Sequence, residues 1–363
     1  MIVLVTPAER NGGILQFSFV MLKTLVELKK EAILYIPDTV GKQQDTELEN
    51  RLVRYKKVKS VNCYNTGIVQ LAKEIEKRKP ELVIGLEDAL IIQQLSWHLA
   101  KRNINTSVVV HDVIAHPYFK MSKREIIVEF LRRMYMKRTI RAVSAIIVLS
   151  ENSVNEYKKR YPSAKKKLTK LILGAHVPEC KSVLPQELKE EEGYYLFFGR
   201  IDKYKGIERL VQAFENIEKQ NDRLVIAGKG DLPEETLEMI RQDNRITYIN
   251  RFIEDEEMVY LYRHCLCVVL PYIEASQSGV LPIAYHFNKP VIVSNLPGLV
   301  ENVDENKTGF VFETIEELSE CLERVRTETF TDAIQKYYDL RFDWKRNVQS
   351  LVIELGENYV EKR

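Results

Sequence analysis

The chain has 363 residues, more than one ordinary hydrophobic core absorbs, so length alone argues for two domains. Hydrophobic residues make up 45% and charged residues 29%, which excludes a disordered or collagenous chain, and the apolar runs fall far short of the roughly 18–20 residues of a spanning helix. The net charge of +2 hides an imbalance: residues 1–180 carry 31 Lys and Arg against 18 Asp and Glu, a balance of +13, while the remainder carries −11. A basic half suits nucleic acid or an anionic membrane surface.

The chain enters "IVLVTP" directly. That run is too short for a signal-peptide core and has no basic flank before it, so a cytoplasmic location is expected. A loop with Gly12 and Gly13 follows, then a helical pattern from Ile14 to Lys30. "AILYIP", "ELVIGLE", "TSVVVHD" and "SAIIVLS" come next, each leading into a helix-length stretch. These runs are continuous rather than alternating, which predicts strands covered on both faces and a parallel sheet between helices. Before the last of them lies "KMSKREIIVEFLRRMYMKRTIRAV". Ile126, Ile127, Phe130, Leu131, Met134 and Tyr135 recur there at helical spacing, and Lys123, Arg124, Arg132, Arg133, Lys137, Arg138 and Arg141 gather on other faces. A second basic cluster follows at Lys158–Arg160 and Lys165–Lys167. One reading is a core-facing helix with a solvated basic face. The other is a peripheral contact with anionic lipid, which the charge imbalance favours. No nucleic-acid motif and no interleaving of aromatic with basic residues is present, so nucleic acid is not an expected partner.

The first half closes near "LILGAHVP", and the polar "ECKSVLPQELKEEEG" is a linker candidate. The pattern then restarts with "YYLFFGR", "RLVIAGKGD", "RITYINRFI", "LCVVLPY" and "KPVIVSN", with helices expected at Ile207–Ile217 and Asp255–His264. The prediction is two doubly wound α/β domains in tandem, 1–178 and 179–342, with an amphipathic last stretch, 343–363, packed back on the first. Ligands of such sheets bind beyond the carboxyl ends of the strands. The five cysteines are odd in number and scattered, and are read as reduced structural thiols.

The chemistry-bearing residues sit at those edges. "YYLFFGR" ends in Gly199-Arg200, and Lys205 follows just before a helix. Two cations at a strand-to-helix turn can neutralise a diphosphate; the alternative is a solvated turn. After the strand ending at Leu270, the sequence "YIEASQSGV" puts Gly279 at a helix start, where the backbone N–H groups of Ser278, Gly279 and Val280 can hold phosphate oxygens. Glu274 lies just before them and can accept from sugar hydroxyls, unless the segment is simply a polar helix cap. In the first half, Gly12 and Gly13 permit a close backbone approach, or form only a tight turn. His111 and Asp112 end a buried strand, where an acid needs a reason. Their alternative is a capping Asp112 and a His111 bonded to backbone. His116 is a weaker candidate for the same edge. Glu87 and Asp88 share it too, with Asp88 read as the N-cap of the next helix. "EDEE" at 254–257 reads as an acidic helix start, and no Asp-x-Asp pair occurs in the chain.

"FFGRIDKYKGIERLVQAF", "VIAGKGD" and "PYIEASQSGVLPIAYHFNKPVIVSNLPGLVENV…KTGFVF", in that order and spacing, resemble the carboxyl-terminal domain of family 4 retaining glycosyltransferases. The resemblance covers about half of the chain. It implies the GT-B fold, two Rossmann-like domains with a nucleotide-sugar in the cleft between them. It implies that Arg200 and Lys205 hold the donor diphosphate with the amides of Ser278, Gly279 and Val280. Glu274 then contacts the transferred sugar, and Arg251 and Phe252 border the base. Gly12 and Gly13 match the family's glycine-rich loop, and His111 and Asp112 its position near the acceptor hydroxyl. The usual second Glu, eight positions after the first, is missing: Pro282 and Ile283 stand there. A subset with an A-[ST]-Q-S-G segment shares this departure. The implied activity needs no metal and no cofactor. Its partners are a nucleoside-diphosphate sugar and a saccharide or lipid-linked acceptor; the basic first half adds an anionic membrane surface as a further expected partner, which would place the chain peripherally on the inner face of the cell membrane. The rivals are a non-catalytic subunit assisting a partner transferase and a sugar-nucleotide epimerase. Sugar, base and oligomeric state are left open.

Overall fold

A computed structural model describes the chain except residues 10–12, 44, 57–65, 112, 114–122, 176, 190–191, 218–220 and 361–363, and except the side chains of residues 123–125, 165–166, 331 and 358–360. The chain divides into two compact units, Met1–Ile172 with Trp344–Arg363, and Leu173–Asp343.

The first unit runs β1 (Ile2–Val5), α1 (Gly13–Glu27), β2 (Ala32–Pro37), α2 (Thr46–Glu49), β3 (Leu52–Tyr55), α3 (Thr66–Lys77), β4 (Leu82–Gly85), α4 (Leu90–Ala100), β5 (Thr106–Val110), α5 (Lys123–Ala142), β6 (Ala145–Val148), α6 (Glu151–Arg160) and β7 (Leu168–Lys170). The strands pair in parallel in the order β3-β2-β1-β4-β5-β6-β7. Their apolar runs are continuous because both faces are covered: Val3, Leu4, Val5, Ile84, Val108 and Ile147 are all fully buried. The winding reverses between β1 and β4, so the loops that follow those two strands diverge and leave a crevice.

In α5 the apolar residues do not share one fate. Tyr135 packs edge-on against Trp97, whose Nε1 donates to Thr139 Oγ1 at 3.0 Å. Ile126, Ile127, Phe130 and Met134 instead face solvent, contrary to a purely core-facing helix.

The second unit runs β8 (Tyr194–Phe198), α7 (Ile207–Glu215), β9 (Leu224–Gly228), α8 (Glu234–Gln242), β10 (Ile246–Asn250), α9 (Asp255–His264), β11 (Cys265–Leu270), α10 (Val280–His286), β12 (Val291–Ser294), α11 (Pro297–Val300), β13 (Gly309–Phe312), α12 (Ile315–Arg324) and α13 (Thr331–Arg341). Its parallel sheet has the order β10-β9-β8-β11-β12-β13, with the reversal between β8 and β11. The polar stretch read as a linker packs on this unit: Leu188 is buried, and Val183 N donates to Glu256 O at 3.0 Å. Glu187 in this stretch pairs with Arg251 at 2.7 Å, which the linker reading missed. The acidic run 254–257 does start a helix, with Glu254 N donating to Glu257 Oε2 at 3.2 Å. Cys180, Cys265, Cys267 and Cys321 are free thiols. Among the described residues no helix is long and apolar enough to cross a membrane.

The last helix, α14 (Trp344–Val360), belongs to the first unit. Val348, Leu351 and Leu355 are buried, Asn105 Nδ2 donates to Leu355 O at 3.4 Å, and Thr169 Oγ1 donates to Glu354 Oε1 at 2.8 Å. Leu355→Ala should therefore cost the first unit about 2–5 kcal/mol through lost burial and the cavity left behind. Amide hydrogen exchange should show protection falling in β1–β7 and unchanged in β8–β13.

Candidate functional site

In the second unit, β8 leads into Gly199-Arg200 and a single 3-10 turn, Lys203–Lys205, while β11 leads into the loop 271–279. The two meet backbone to backbone. Ile273 N donates to Tyr204 O at 2.8 Å. Gly206, at φ 63°, lies so near Pro271 that a Cβ would sit 2.0 Å from its carbonyl oxygen. Left-handed backbone and lack of room both demand glycine here.

This contact sets Lys205 over an aromatic face: its Nζ is 3.6 Å from the centroid of Tyr272 and 5.0 Å from that of Tyr204. No carboxylate among the described residues pairs with it. Burial drives the ammonium down to about 8, Arg200 adding to the effect and Tyr204 opposing it. Arg200 is more open, with Nε 3.9 Å from Asp202 Oδ2 and Nη2 3.4 Å from the Tyr204 hydroxyl. Tyr272 links this turn to the next helix, its hydroxyl 3.5 Å from Ser278 Oγ. Ser278 Oγ also accepts from Val280 N at 3.3 Å, so that amide already has an acceptor. The amides of Ser278 and Gly279 bond to none of the described residues. Gly279 is the N-cap of α10, as the sequence indicated.

Glu274 lies half-buried in the same loop. The loop rests on Gly298 in α11, where a Cβ would lie 2.4 Å from Ser276 O and 2.7 Å from Ala275 O. Tyr204, Tyr272 and Gly298 shape the site but were not singled out from the sequence. The Pro297-Gly298 pair is visible there, yet reads only as a turn. Arg251 is fully engaged: Glu187 holds its Nε and Nη2, both at 2.7 Å, and Glu257 holds its Nη1 and Nη2 at 2.6 and 2.7 Å. Phe252 beside it is 58% exposed.

At the switch point of the first unit, Thr6 follows β1, and Glu87 and Asp88 follow β4. Thr6 Oγ1 donates to Glu87 Oε1 at 3.4 Å, and Tyr55 OH donates to Thr6 O at 3.0 Å. Burial, with the Asp88 charge next to it, pushes Glu87 up to about 7, only partly offset by Thr6. Asp88 does not cap α4, whose N-cap is Ala89. It pairs with Arg132 Nη1 at 2.5 Å, because a guanidinium so poorly solvated needs an anion at hand. His111 Nε2 lies 2.8 Å from Leu86 O, and its ring is edge-on to Phe17 at 5.2 Å. A carbonyl only accepts, so Nε2 carries the hydrogen. Gly13 opens α1 with empty space at its Cβ position. Gly12, Asp112 and His116 lie outside the described residues.

Residues 192–328 match a family model described as "Glycosyl transferases group 1". The chain is 30% identical over 126 residues to an uncharacterized glycosyltransferase of Methanocaldococcus jannaschii, a match covering 34% of this chain and 32% of that protein. It is 31% identical over 147 residues to a GDP-mannose:glycolipid 4-beta-D-mannosyltransferase of Xanthomonas campestris pv. campestris, covering 40% of this chain and 42% of that one. The chain thus spans about a third to two fifths of the curated relatives it matches. HepE of Anabaena, solved with UDP, superposes with a TM-score of 0.77 at 14% identity over 98% of this chain and 99% of HepE. The same protein has been solved with UDP-glucose. That likeness over nearly the whole chain shows the GT-B fold, built from two Rossmann-like units.

Two outcomes test the two edges. Gly298→Ala should displace the 274–278 loop, visible as lost amide protection there and shifted resonances of Tyr272, with the sheet intact. For Glu87, the native state holds a proton that the unfolded chain releases near the ordinary glutamate value of about 4.5. Stability from this group is full below that value and is lost as pH rises towards 7. Glu87→Gln should match wild type in urea midpoint near pH 4 and exceed it at pH 8.

Proposed function

We propose that the chain is a retaining glycosyltransferase. It moves a sugar from a nucleoside-diphosphate sugar to a hydroxyl of a lipid-linked saccharide used in surface polysaccharide assembly, working on the inner face of the cell membrane. The observation that carries the reading is Lys205: an enclosed ammonium with no carboxylate partner among the described residues, set over Tyr272 beside Arg200 and joined through Tyr272 to the loop of Ser278 and Gly279. A cation so placed lacks an anion, and a diphosphate supplies one. The HepE complexes with UDP and UDP-glucose support the donor class. The mannosyltransferase relative, which acts from GDP-mannose on a glycolipid, supports the acceptor class.

In this reading the bond between the anomeric carbon and the diphosphate oxygen breaks as charge grows on the leaving group. Arg200, Lys205 and the amides of Ser278 and Gly279 stabilise that charge, with no metal taking part. The acceptor oxygen bonds to the anomeric carbon on the same face, and its proton passes to a phosphate oxygen of the leaving nucleotide. Glu274 orients the sugar. Phe252 borders the base, and Arg251 acts on it only by holding that loop. His111, Asp112, Gly12 and Gly13 serve the acceptor and the donor phosphate from the first unit.

The proposal predicts how UDP binds. The diphosphate favours the charged lysine, so between about pH 7, where the terminal phosphate is fully ionised, and pH 8 affinity is nearly flat. Above it, where the free ammonium titrates, each unit of pH should weaken binding by up to tenfold as a proton must be taken up. Calorimetry should show this proton uptake in wild type and its absence in Lys205→Gln. That variant and Arg200→Ala should each lose about 10²–10³-fold in turnover, measured in EDTA. Undiminished UDP affinity in Lys205→Gln, with no pH dependence in wild type, would sink the assignment.

A further inference from the structure

Arg200 and Lys205 bring two like charges to one turn, an arrangement that repulsion opposes until an anion joins them. Arg200, whose side chain is 59% exposed, has solvent to turn into. Asp202 lies at the outer limit of an ion pair, its Oδ2 3.9 Å from Arg200 Nε, and at an exposed site such a pair is worth little. A second contact comes from a neutral group: Arg200 Nη2 donates to the Tyr204 hydroxyl at 3.4 Å.

The same hydroxyl stands beside the Lys205 ammonium, and it props up a charge that burial and Arg200 together depress. A hydroxyl oxygen has two lone pairs, enough to accept from both cations. Lys205 Nζ lies 5.0 Å from the Tyr204 ring centroid and 3.6 Å from that of Tyr272, so the lysine has aromatic neighbours on two segments. The charged and titratable groups around it are thus Arg200, Asp202 and Tyr204 from its own turn and Tyr272 from the loop that follows β11.

The backbone gives this hydroxyl a fixed place. Tyr204 O accepts from Ile273 N at 2.8 Å, and Gly206, two residues on, is pressed against Pro271. Tyr204 is therefore held from the loop after β11, and a tyrosine has only two side-chain torsions left to settle. Phenylalanine would pack this turn equally well, so the hydroxyl is what asks for an explanation. An acceptor so fixed does for the two cations what a phosphate oxygen would do: it draws them together and keeps Lys205 charged.

We propose that Tyr204 is a positioning residue of the diphosphate site: its hydroxyl gathers Arg200 and Lys205 before the donor arrives and yields them to the phosphate oxygens. The inference rests on the donor reading above and deepens it, by naming what holds two like charges in place until the anion comes. Tyr204 acts through Arg200 and Lys205 and not on the reacting atoms.

Tyr204→Phe tests it, because the substitution removes the oxygen and leaves the ring. The titration of Lys205 can be followed without any nucleotide through the carbon-13 resonance of its ε carbon, assigned by its loss in Lys205→Gln. The midpoint should lie at about 8 in wild type. In Tyr204→Phe the charged form has lost an acceptor, so the midpoint should fall by about half a pH unit or more, roughly a threefold loss of proton affinity. The pH above which UDP binding weakens, read by calorimetry, should move down by the same amount, and UDP affinity at about pH 7.5 should fall roughly three- to tenfold. Exchange of the Ile273 amide, which bonds the Tyr204 carbonyl, should match wild type and show the turn intact. A Lys205 midpoint unmoved by the substitution would overturn the proposal. So would loss of the Ile273 protection, which would make Tyr204 a folding residue only. Wild type that fails to bind UDP, with the midpoint still moving between the two proteins, fails the donor assignment alone and leaves the link between Tyr204 and Lys205 standing.

Discussion

The contact between Gly206 and the Pro271 carbonyl is the constraint on which the second unit's site depends. Winding reverses between β8 and β11, so their following loops would otherwise diverge. Glycine at 206 lets one turn touch the other, and the Ile273–Tyr204 hydrogen bond fixes the register of that touch. Everything chemical follows from it. Lys205 is delivered over the Tyr272 ring because its neighbour on one side has no side chain. Ser278 is reached by Tyr272 because the loop leaves Pro271 in one direction. Gly298 repeats the device from behind, giving the 275–276 backbone a surface to rest on that no Cβ interrupts. Three backbone contacts thus hold the loop in place between the β8 turn and α11.

The first unit has the same topology and the opposite electrostatic arrangement. Its switch point buries a carboxyl, Glu87, against Thr6 and beside Asp88, and two such acids in a shielded place cannot both ionise freely. Arg132 pairs with Asp88, and Glu87 is pushed up. The basic surplus of this half therefore does not reach its sheet edge evenly. It collects along α5 and at the end of α6. One fold can hold a cationic pocket at one switch point and a titrating acid at the other because sheet topology fixes only where the loops go.

What the sequence made legible follows from range. Continuous apolar runs broken by helix-length segments announced both sheets, because burial on two faces writes itself into consecutive residues. Lys205 and Gly279 were legible because each stands a few residues from the strand that positions it. Arg251 was read as bordering a base, and its two carboxylates show why sequence is a poor guide to availability: Glu257 is six residues away, but Glu187 lies 64 away in a stretch that looked like a linker. Asp88 had the composition of a helix cap, and its partner is 44 residues distant. The periodicity of α5 was visible, but not which of its apolar faces would be left outside. Two apolar arcs on one helix look alike until the neighbouring helix has chosen one.

Lys205 and Tyr157 share a thermodynamic logic. Each is a polar group taken from water: Lys205 has the Tyr204 hydroxyl beside it but no paired carboxylate, and the Tyr157 hydroxyl has no hydrogen-bond partner, both among the described residues. Folding bears both costs, since the unfolded chain hydrates these groups freely. A ligand that completes Lys205 recovers its cost on binding, and recovers it only if its charge and reach are right. Selection for stability alone would replace Lys205 by an apolar residue over Tyr272, or remove the hydroxyl of Tyr157. Lys205 stands at the carboxyl edge of its sheet, where two loops converge and α7 begins, which separates it from an ordinary packing fault.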